Sequence, residues 1–584
     1  MKRFAHNRVM SSVLRYGFFI AGACALILMF ISFITSPFTG DIKVFIAAAS
    51  QVQYQSDSGL LAVFEAWELK GIGNRLLMYV LYLTARLFTN YGDVVKFEIA
   101  VKAIYALAAL ACIAITAMLV SSNRKDRLVF GIAEYLAVYA TYEASHLQVE
   151  MTCVVLSILM FALLAHGTRR SYIAAGVIGS LLFFFKSIFV LLPFAVFAGY
   201  ALHSLNQNKP VTKKCMLLYF GSFAVAEIAL SLMVLLVYPQ EFVDMRAAAD
   251  FQETLFSAGS FVTLESILNS LIAGLSQSTV MQPFVFIGST CSLYSAITYA
   301  RKKEATKVLL LAFMWLVALD LIVVSNKYFI YHFYLLMLPS VVSCVDCCRN
   351  EVDHRILFAS GCSAALLAGA CWIMRDGYQQ WGIINYSTVL LVVLHAVAIT
   401  IFLACFDGYA SLKKAVAYLL VTACAFFWLN YSSALSPKYR NETSIRNAAA
   451  EACVGLFPQD FGDGPVLFLD GGTTPFYVEA PSYSRYFYNL PMERWSEGKT
   501  WPLQAAEYKR LMEYEGKYIV YASWFGIEKY PDLQRKLEEE YVPIKGSGIF
   551  TYSPDWEPFE LSPIPDKESL RDSTDAYLLV RKGS

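Results

Sequence analysis

HLQVEMTCVVLSILMFALLAHGTRRSYIAAGVIGSLLFFFKSIF (146–189) contains two apolar runs, 149–166 and 171–186, joined by a short turn carrying Arg169 and Arg170. A third run, 187–203, follows without a break. Each is close to the length a bilayer requires of a helix. Lys186 is the charge that interrupts the apolar stretch SLLFFFKSIFVLL. A charge at the centre of a membrane helix costs about 2.5–3.5 kcal/mol on the insertion scale, so Lys186 is expected at a surface turn. The residues 171–203 then make two passes rather than one long helix.

Apolar runs of similar kind lie on both sides: from the N-terminal basic residues to about Ile34, then near 98–120, 129–145, 214–238, 280–299, 308–325, 332–345, 355–374, 387–405 and 414–432. Together they amount to about thirteen spans. The first run exceeds a signal-peptide core and lacks a small-residue cleavage pattern, so it is expected to be retained. The N-terminus and the loops at 121–128, 166–171, 203–214, 300–307, 346–355 and 406–414 hold twenty Lys or Arg against six acids. The loop at 239–280 has five acids and one Arg. The positive-inside rule places the N-terminus in the cytoplasm and Asp41 on the far side. The alternation closes only if 171–203 is split in two.

The composition agrees. The 584 residues are 57% hydrophobic, 15% aromatic and 16% charged, with a mean hydropathy of +0.50. A soluble globular chain is nearer a quarter charged. Lys and Arg (47) balance Asp and Glu (46), which excludes a nucleic-acid binder held by bulk charge. The fold class is a polytopic α-helical membrane protein. Most of the thirteen cysteines lie in apolar segments, where a free thiol behaves as a small hydrophobe. Cys453 alone falls in the polar tail, so no disulfide framework is available there. Cys344, Cys347 and Cys348 form CVDCC with His354 nearby; zinc, acylation and a helix end with incidental thiols are all compatible with it. No metal is assigned.

From Ser433 charges become frequent. PVLFLDG (465–471) and KYIVYAS (517–523) read as buried strands, with an amphipathic helix around 504–515 between them and a charged helix at 531–541 after them. This order predicts a soluble extracytoplasmic α/β domain over 433–584, following a transmembrane domain over 1–432. The first far-side loop, 37–97, contains GLLAVFEAWELK (59–70) and NRLLMYVLYLTARLF (74–88), which suit helices lying at the interface. GDIKVF (40–45) opens that loop and puts Asp41 at the membrane surface. A carboxylate there can take a proton from an acceptor hydroxyl, or it can cap a helix.

An acidic residue just after the first span, followed by interfacial helices, resembles the GT-C superfamily of membrane glycosyltransferases. That group includes the protein O-mannosyltransferases and the lipid A aminoarabinose transferases. The run 146–189 is similar to the family's succession of outer polar start, span, Arg-rich turn, Gly-containing span and outer Lys. NKYFIYHFYLLMLP (326–339) resembles its aromatic and basic outer loop, and VLFLDGGTTPFYVEA (466–480) and YSRYFYNLP (483–491) resemble its far-side domains. The resemblance covers nearly the whole chain. It implies that Asp41 is the general base, and that outer basic residues bind the phosphate of a polyprenyl-phosphate sugar. The implied activity is transfer of a monosaccharide, with inversion, to an extracytoplasmic glycan, lipid or protein. Asp41 is followed by Ile42 rather than the second acid of many O-mannosyltransferases, and the first loop has no DxD, so no cofactor is firmly implied, and a divalent metal is compatible with the sequence but unsupported by it.

Residues of the right chemistry are available. Lys186, Lys327 and His332 suit a lipid phosphate at the far-side surface, and Arg75 in GIGNRLL (71–77) offers a bidentate contact. Snorkelling, aromatic-belt anchoring and a surface salt bridge are their plainer readings. His146 and Glu150 share a helix face at i, i+4, which suits a sugar hydroxyl or an interfacial pair. Glu227 and Asp320 lie deeper, where acids are functional candidates by default. They favour the rival reading, a lipid or solute transporter or flippase. A polymerase or ligase of lipid-linked oligosaccharide shares the topology and the substrates.

Overall fold

The computed structural model describes residues 23–35 (apart from 25 and 32), 40–54, 63, 71–90, 94–139, 147–246 (apart from 244), 283–324, 330–349, 457–469, 480–484, 502–522, 527, 530–543 and 576–584. The runs expected at 355–374, 387–405 and 414–432 lie outside these residues, as do segment 470–479 and most of 59–70. The helices are α1 (Gly40–Gln51), α2 (Ile72–Arg86), α3 (Val94–Val120), α4 (Arg124–Tyr139), α5 (Val149–His166), α6 (Arg169–Phe185), α7 (Leu192–Asn206), α8 (Lys213–Val237), α9 (Pro283–Arg301), α10 (Ala305–Val324) and α11 (Met337–Arg349). In the tail come β1 (Leu467–Leu469), α12 (Pro502–Met512), β2 (Tyr518–Ala522), α13 (Pro531–Glu540), β3 (Tyr541–Pro543) and β4 (Ala576–Arg581). Among the described residues five helices are long and apolar enough to cross a membrane: Lys96–Val120, Val149–His166, Ser187–Asn206, Lys213–Val237 and Ala305–Ile322.

The chain forms two compact units. One contains Met1–Ser36, Tyr105–Ser231 and Phe261–Ser436. In it, α5 ends at Gly167, whose φ of 80° is the left-handed conformation that closes a helix at no cost to glycine. Thr168 starts α6 at once, through a reciprocal capping box with Ser171. The helix stops where the sequence predicts: Lys186 is extended (φ −159°, ψ 120°), a 3-10 turn covers Ser187–Leu191, and Pro193 sits in the first turn of α7. There its missing N–H is harmless. The rings of Tyr172 and Tyr200 lie 6.5 Å apart, and a methyl built on Gly179 would touch Pro193 at 3.3 Å. So α6 and α7 run antiparallel as a hairpin, with Lys186 at its bend.

Two more contacts fix the bundle. At Gly288 of α9 a Cβ would lie 2.4 Å from the Cα of Ser340 on α11, so the helices meet backbone to backbone. Trp315 Nε1 of α10 donates to Ser292 Oγ of α9 at 2.9 Å, and that oxygen stands 2.7 Å from Ser343 Oγ of α11. The run expected to span at 332–345 differs from expectation. It opens as a 3-10 turn, Ile330–Leu336, and only the thirteen residues of α11 are α-helical, starting two residues before Pro339. Proline is tolerated in a first turn and not further in, which dates the helix start to that point.

The other unit contains Pro37–Ile104, Leu232–Ser260 and Pro437–Ser584. The predicted strands and helices of the tail are β1, α12, β2 and α13. They build a sheet of order β1-β2-β4-β3, with β1 parallel to β2 and the other pairs antiparallel. Leu467, Leu469, Ile519 and Tyr521 from the strands pack with Leu511, Leu533 and Leu537 from the helices. Strands β3 and β4 were not expected from the sequence. In the same unit, α1 is buried from Val44 to Gln51, and α2 buries Asn74, Arg75, Met78, Leu81, Tyr82 and Ala85. The opposite face of α2 leaves Leu76, Val80 and Leu83 exposed, the pattern of a helix lying against lipid.

Candidate functional site

Residues far apart in the chain converge at the hairpin bend. Glu150 stands in the first turn of α5, Lys186 at the break between α6 and the 3-10 turn, and His332 in the 3-10 turn before α11. Lys186 Nζ donates to Glu150 Oε1 at 2.9 Å and lies 3.5 Å from His332 Nε2. His332 Nε2 is 3.6 Å from the same carboxylate oxygen. Glu150 is fully buried and the imidazole nearly so, whereas the Lys186 side chain keeps 18% of its surface. Phe189 lies under the ammonium at 5.5 Å. The accessible member of the cluster is therefore its fixed cation, held by a buried anion and flanked by an imidazole that adds positive charge when protonated. Such an arrangement can receive an anionic headgroup at a surface turn.

The far end of the bundle is tied differently. Asn206 ends α7, about 20 Å from its start by helical rise. Its amide donates to Asp346 Oδ1 at 2.5 Å and to Tyr299 Oη at 2.6 Å, and the Tyr299 hydroxyl donates to the same carboxylate. Asp346 belongs to CVDCC, so the motif's acid joins three helices. Cys344 and Cys347 are buried, and among the described residues no cluster of metal-ligating side chains occurs.

The remaining predicted residues lie elsewhere. Asp41 is the second residue of α1, in its first turn. Arg75 is buried on α2, where Nη2 pairs with Glu241 Oε2 at 2.8 Å. Phe45 and Ala48 of α1, and Val52 just after it, line a small cavity with Arg75 and Tyr79. His146 and Lys327 lie outside the described residues. Of the deep acids, Asp320 is exposed on α10 and Glu227 half-buried on α8.

Sequence reasoning missed several residues. Glu134 on α4 is fully buried, with Thr116 Oγ1 at 3.4 Å; an acid inside the 129–145 run was the available signal. Lys102 is fully buried one turn after Glu98 on α3, an i, i+4 pair visible in the sequence. Gln51 carries no such signal. Its side-chain amide donates to Ala480 O at 3.1 Å and its carbonyl accepts from Ser482 N at 2.8 Å.

No protein-family model matches the chain, and no curated protein is similar to it. Solved structures are. ArnT of Cupriavidus metallidurans bound to undecaprenyl phosphate superposes with a TM-score of 0.52 at 14% identity, over 96% of this chain and 97% of that one. The apo state of the same protein gives 0.47 at 12% identity, over 98% of each chain. An oligosaccharyltransferase of Archaeoglobus fulgidus gives 0.35 at 11% identity, over 88% of this chain and 71% of the other. Over nearly its whole length the chain shares the fold of ArnT.

Proposed function

We propose that the protein is a membrane glycosyltransferase that moves a monosaccharide from a polyprenyl-phosphate carrier to an extracytoplasmic acceptor, with inversion at the anomeric carbon. The observation that carries this reading is the convergence of Lys186, His332 and Glu150 at one bend of the bundle. The fold shared with ArnT, whose structure is described as bound to undecaprenyl phosphate, supports it. In this scheme Lys186, His332 and Lys327 neutralise the carrier phosphate. Glu150 braces Lys186 and accepts from a sugar hydroxyl. Arg75, buried and paired with Glu241, is the further cation assigned to the headgroup. His146 completes the sugar contacts.

Asp41 takes the proton of the acceptor hydroxyl. The acceptor oxygen then bonds to the anomeric carbon as the bond from that carbon to the phosphate oxygen breaks, and polyprenyl phosphate leaves with the electron pair. A phosphate monoester is a good leaving group once its charge is neutralised, so positioning and electrostatics supply most of the acceleration. The tail domain selects the acceptor.

The test is a transfer assay on the purified protein in lipid, with radiolabelled polyprenyl-phosphate monosaccharides and total-membrane acceptor. Label enters a new product with the native chain. With Asp41→Asn turnover falls at least a thousandfold while labelled donor still binds. Turnover retained in that variant removes Asp41 as the base. Labelled lipid that crosses the bilayer and never reacts identifies a flippase instead.

A further inference from the structure

The helix whose second residue is the proposed base ends in a clamp on a segment bonded to the C-terminal sheet. Gln51 closes α1, is 5% exposed, and bonds with both ends of its side-chain amide to one stretch of backbone: Nε2 to Ala480 O at 3.1 Å and Oε1 from Ser482 N at 2.8 Å. This is the pairing one strand offers the next, supplied by a side chain. The opposite edge of that stretch is itself bonded to the sheet. Val466 N donates to Pro481 O at 2.8 Å and Tyr483 N donates to Val466 O at 2.8 Å, one residue before β1. Arg510 of α12 donates to Tyr483 O at 2.9 Å, and the Ser484 hydroxyl bonds Glu507 of the same helix. The segment 480–484 is thus held by the sheet and α12 on one side and by Gln51 on the other.

We infer that Gln51 is a positioning residue through which the C-terminal α/β domain sets the placement of α1, and with it Asp41. The inference rests on the proposed role of Asp41. From Asp41 to Gln51 the helix rises about 15 Å, and its residues from Val44 onward are buried, so it moves as a rod rather than bending. A rod fixed at one end carries small displacements to the other. A misplacement of about 1 Å at a reacting group can cost on the order of a hundredfold in rate. A leucine at position 51 keeps the bulk of the side chain and loses both hydrogen bonds. It also leaves the Ser482 N–H and Ala480 C=O without the partner they have in the native chain.

Two measurements on the full-length protein in lipid test this. The first is amide hydrogen exchange of Gln51→Leu against the native chain. Faster exchange at Ser482 and across 42–51, with β2 and β4 unchanged, supports the clamp; unchanged exchange at both overturns it. The second uses the radiolabelled polyprenyl-phosphate monosaccharide that the native chain turns over. In Gln51→Leu, kcat falls about ten- to a hundredfold with KM for the donor within about twofold of native. An unchanged kcat, or an equal loss with any structural substitution of the tail, overturns the positioning role even where exchange has risen. If the native chain turns over no such donor, the transferase reading fails separately, and exchange alone decides whether tail and helix are coupled.

Discussion

At the residue scale the Lys186–Glu150 pair separates structural from binding roles. Removing one partner of a buried ion pair is costly, about 3 kcal/mol or more, because the other is left uncompensated. Lys186→Met takes the ammonium away from the fully buried Glu150 carboxylate, so the thermal midpoint falls. Adding Glu150→Gln restores most of the midpoint. Donor binding, measured by retention of labelled polyprenyl-phosphate sugar, falls at least tenfold in both variants. Native binding in the double variant sinks the phosphate role of Lys186. In the tail, Asp460 accepts from Lys517 at 2.6 Å and from Tyr518 at 2.7 Å, which holds its carboxyl below the ordinary range and raises the Lys517 ammonium. A depressed carboxyl contributes stability above its unfolded value, about 3.9, and loses it as pH falls through the folded one. A raised lysine contributes below about 10.4 and loses it as pH rises through the folded value. Amide protection around β2 is therefore flat between those limits, and Asp460→Asn removes the acid limb. The cost of a charge inside an apolar run made Lys186 readable in the sequence. Its partner was not readable as a partner, since a separation of 36 residues is bridged only by the hairpin angle. Gln51 is neutral and its contact lies 429 residues away.

At the element scale, breaks were easier to read than lengths. Lys186 and Pro193 end one helix and start another, and both signals are local. The 3-10 turn that carries His332 was hidden inside an apolar run, because its residues suit a spanning helix and only Pro339 marks where α-geometry begins. Strand β4 pairs with β2 and β3, so its identity depends on partners earlier in the chain rather than on its own pattern. Gly288 tests the packing of α9 on α11. The atoms facing it include the Ser340 Cα at 2.4 Å, which cannot swing aside. Gly288→Ala forces the helices apart and lowers stability by about 1–3 kcal/mol, readable as a fall in the thermal midpoint in detergent. An unchanged midpoint would mean that the helices do not meet there.

At the scale of the whole molecule, composition was decisive for class, and charge asymmetry is the ground for the proposed orientation. The orientation makes a direct prediction. In a bacterial host, alkaline phosphatase fused after Ser584 is active and a green fluorescent protein at the same site is dark. The reverse result inverts the whole topology and takes Asp41 off the far side. The grouping of 37–104, 232–260 and 437–584 into one unit was invisible to a linear reading, because hydropathy marks where spans fall but not which loops they bring together.

The hairpin bend also bears on how the chain is made. Glu150 precedes Lys186 in synthesis, and α5 is complete before α6 and α7 leave the ribosome. In the proposed orientation the hairpin carries its lysine across hydrocarbon, the least favourable passage in that stretch. Its counter-ion is already waiting at the end of the bundle where it emerges. In that orientation the order of residues along the chain gives the nascent protein an anchor for its most reluctant segment.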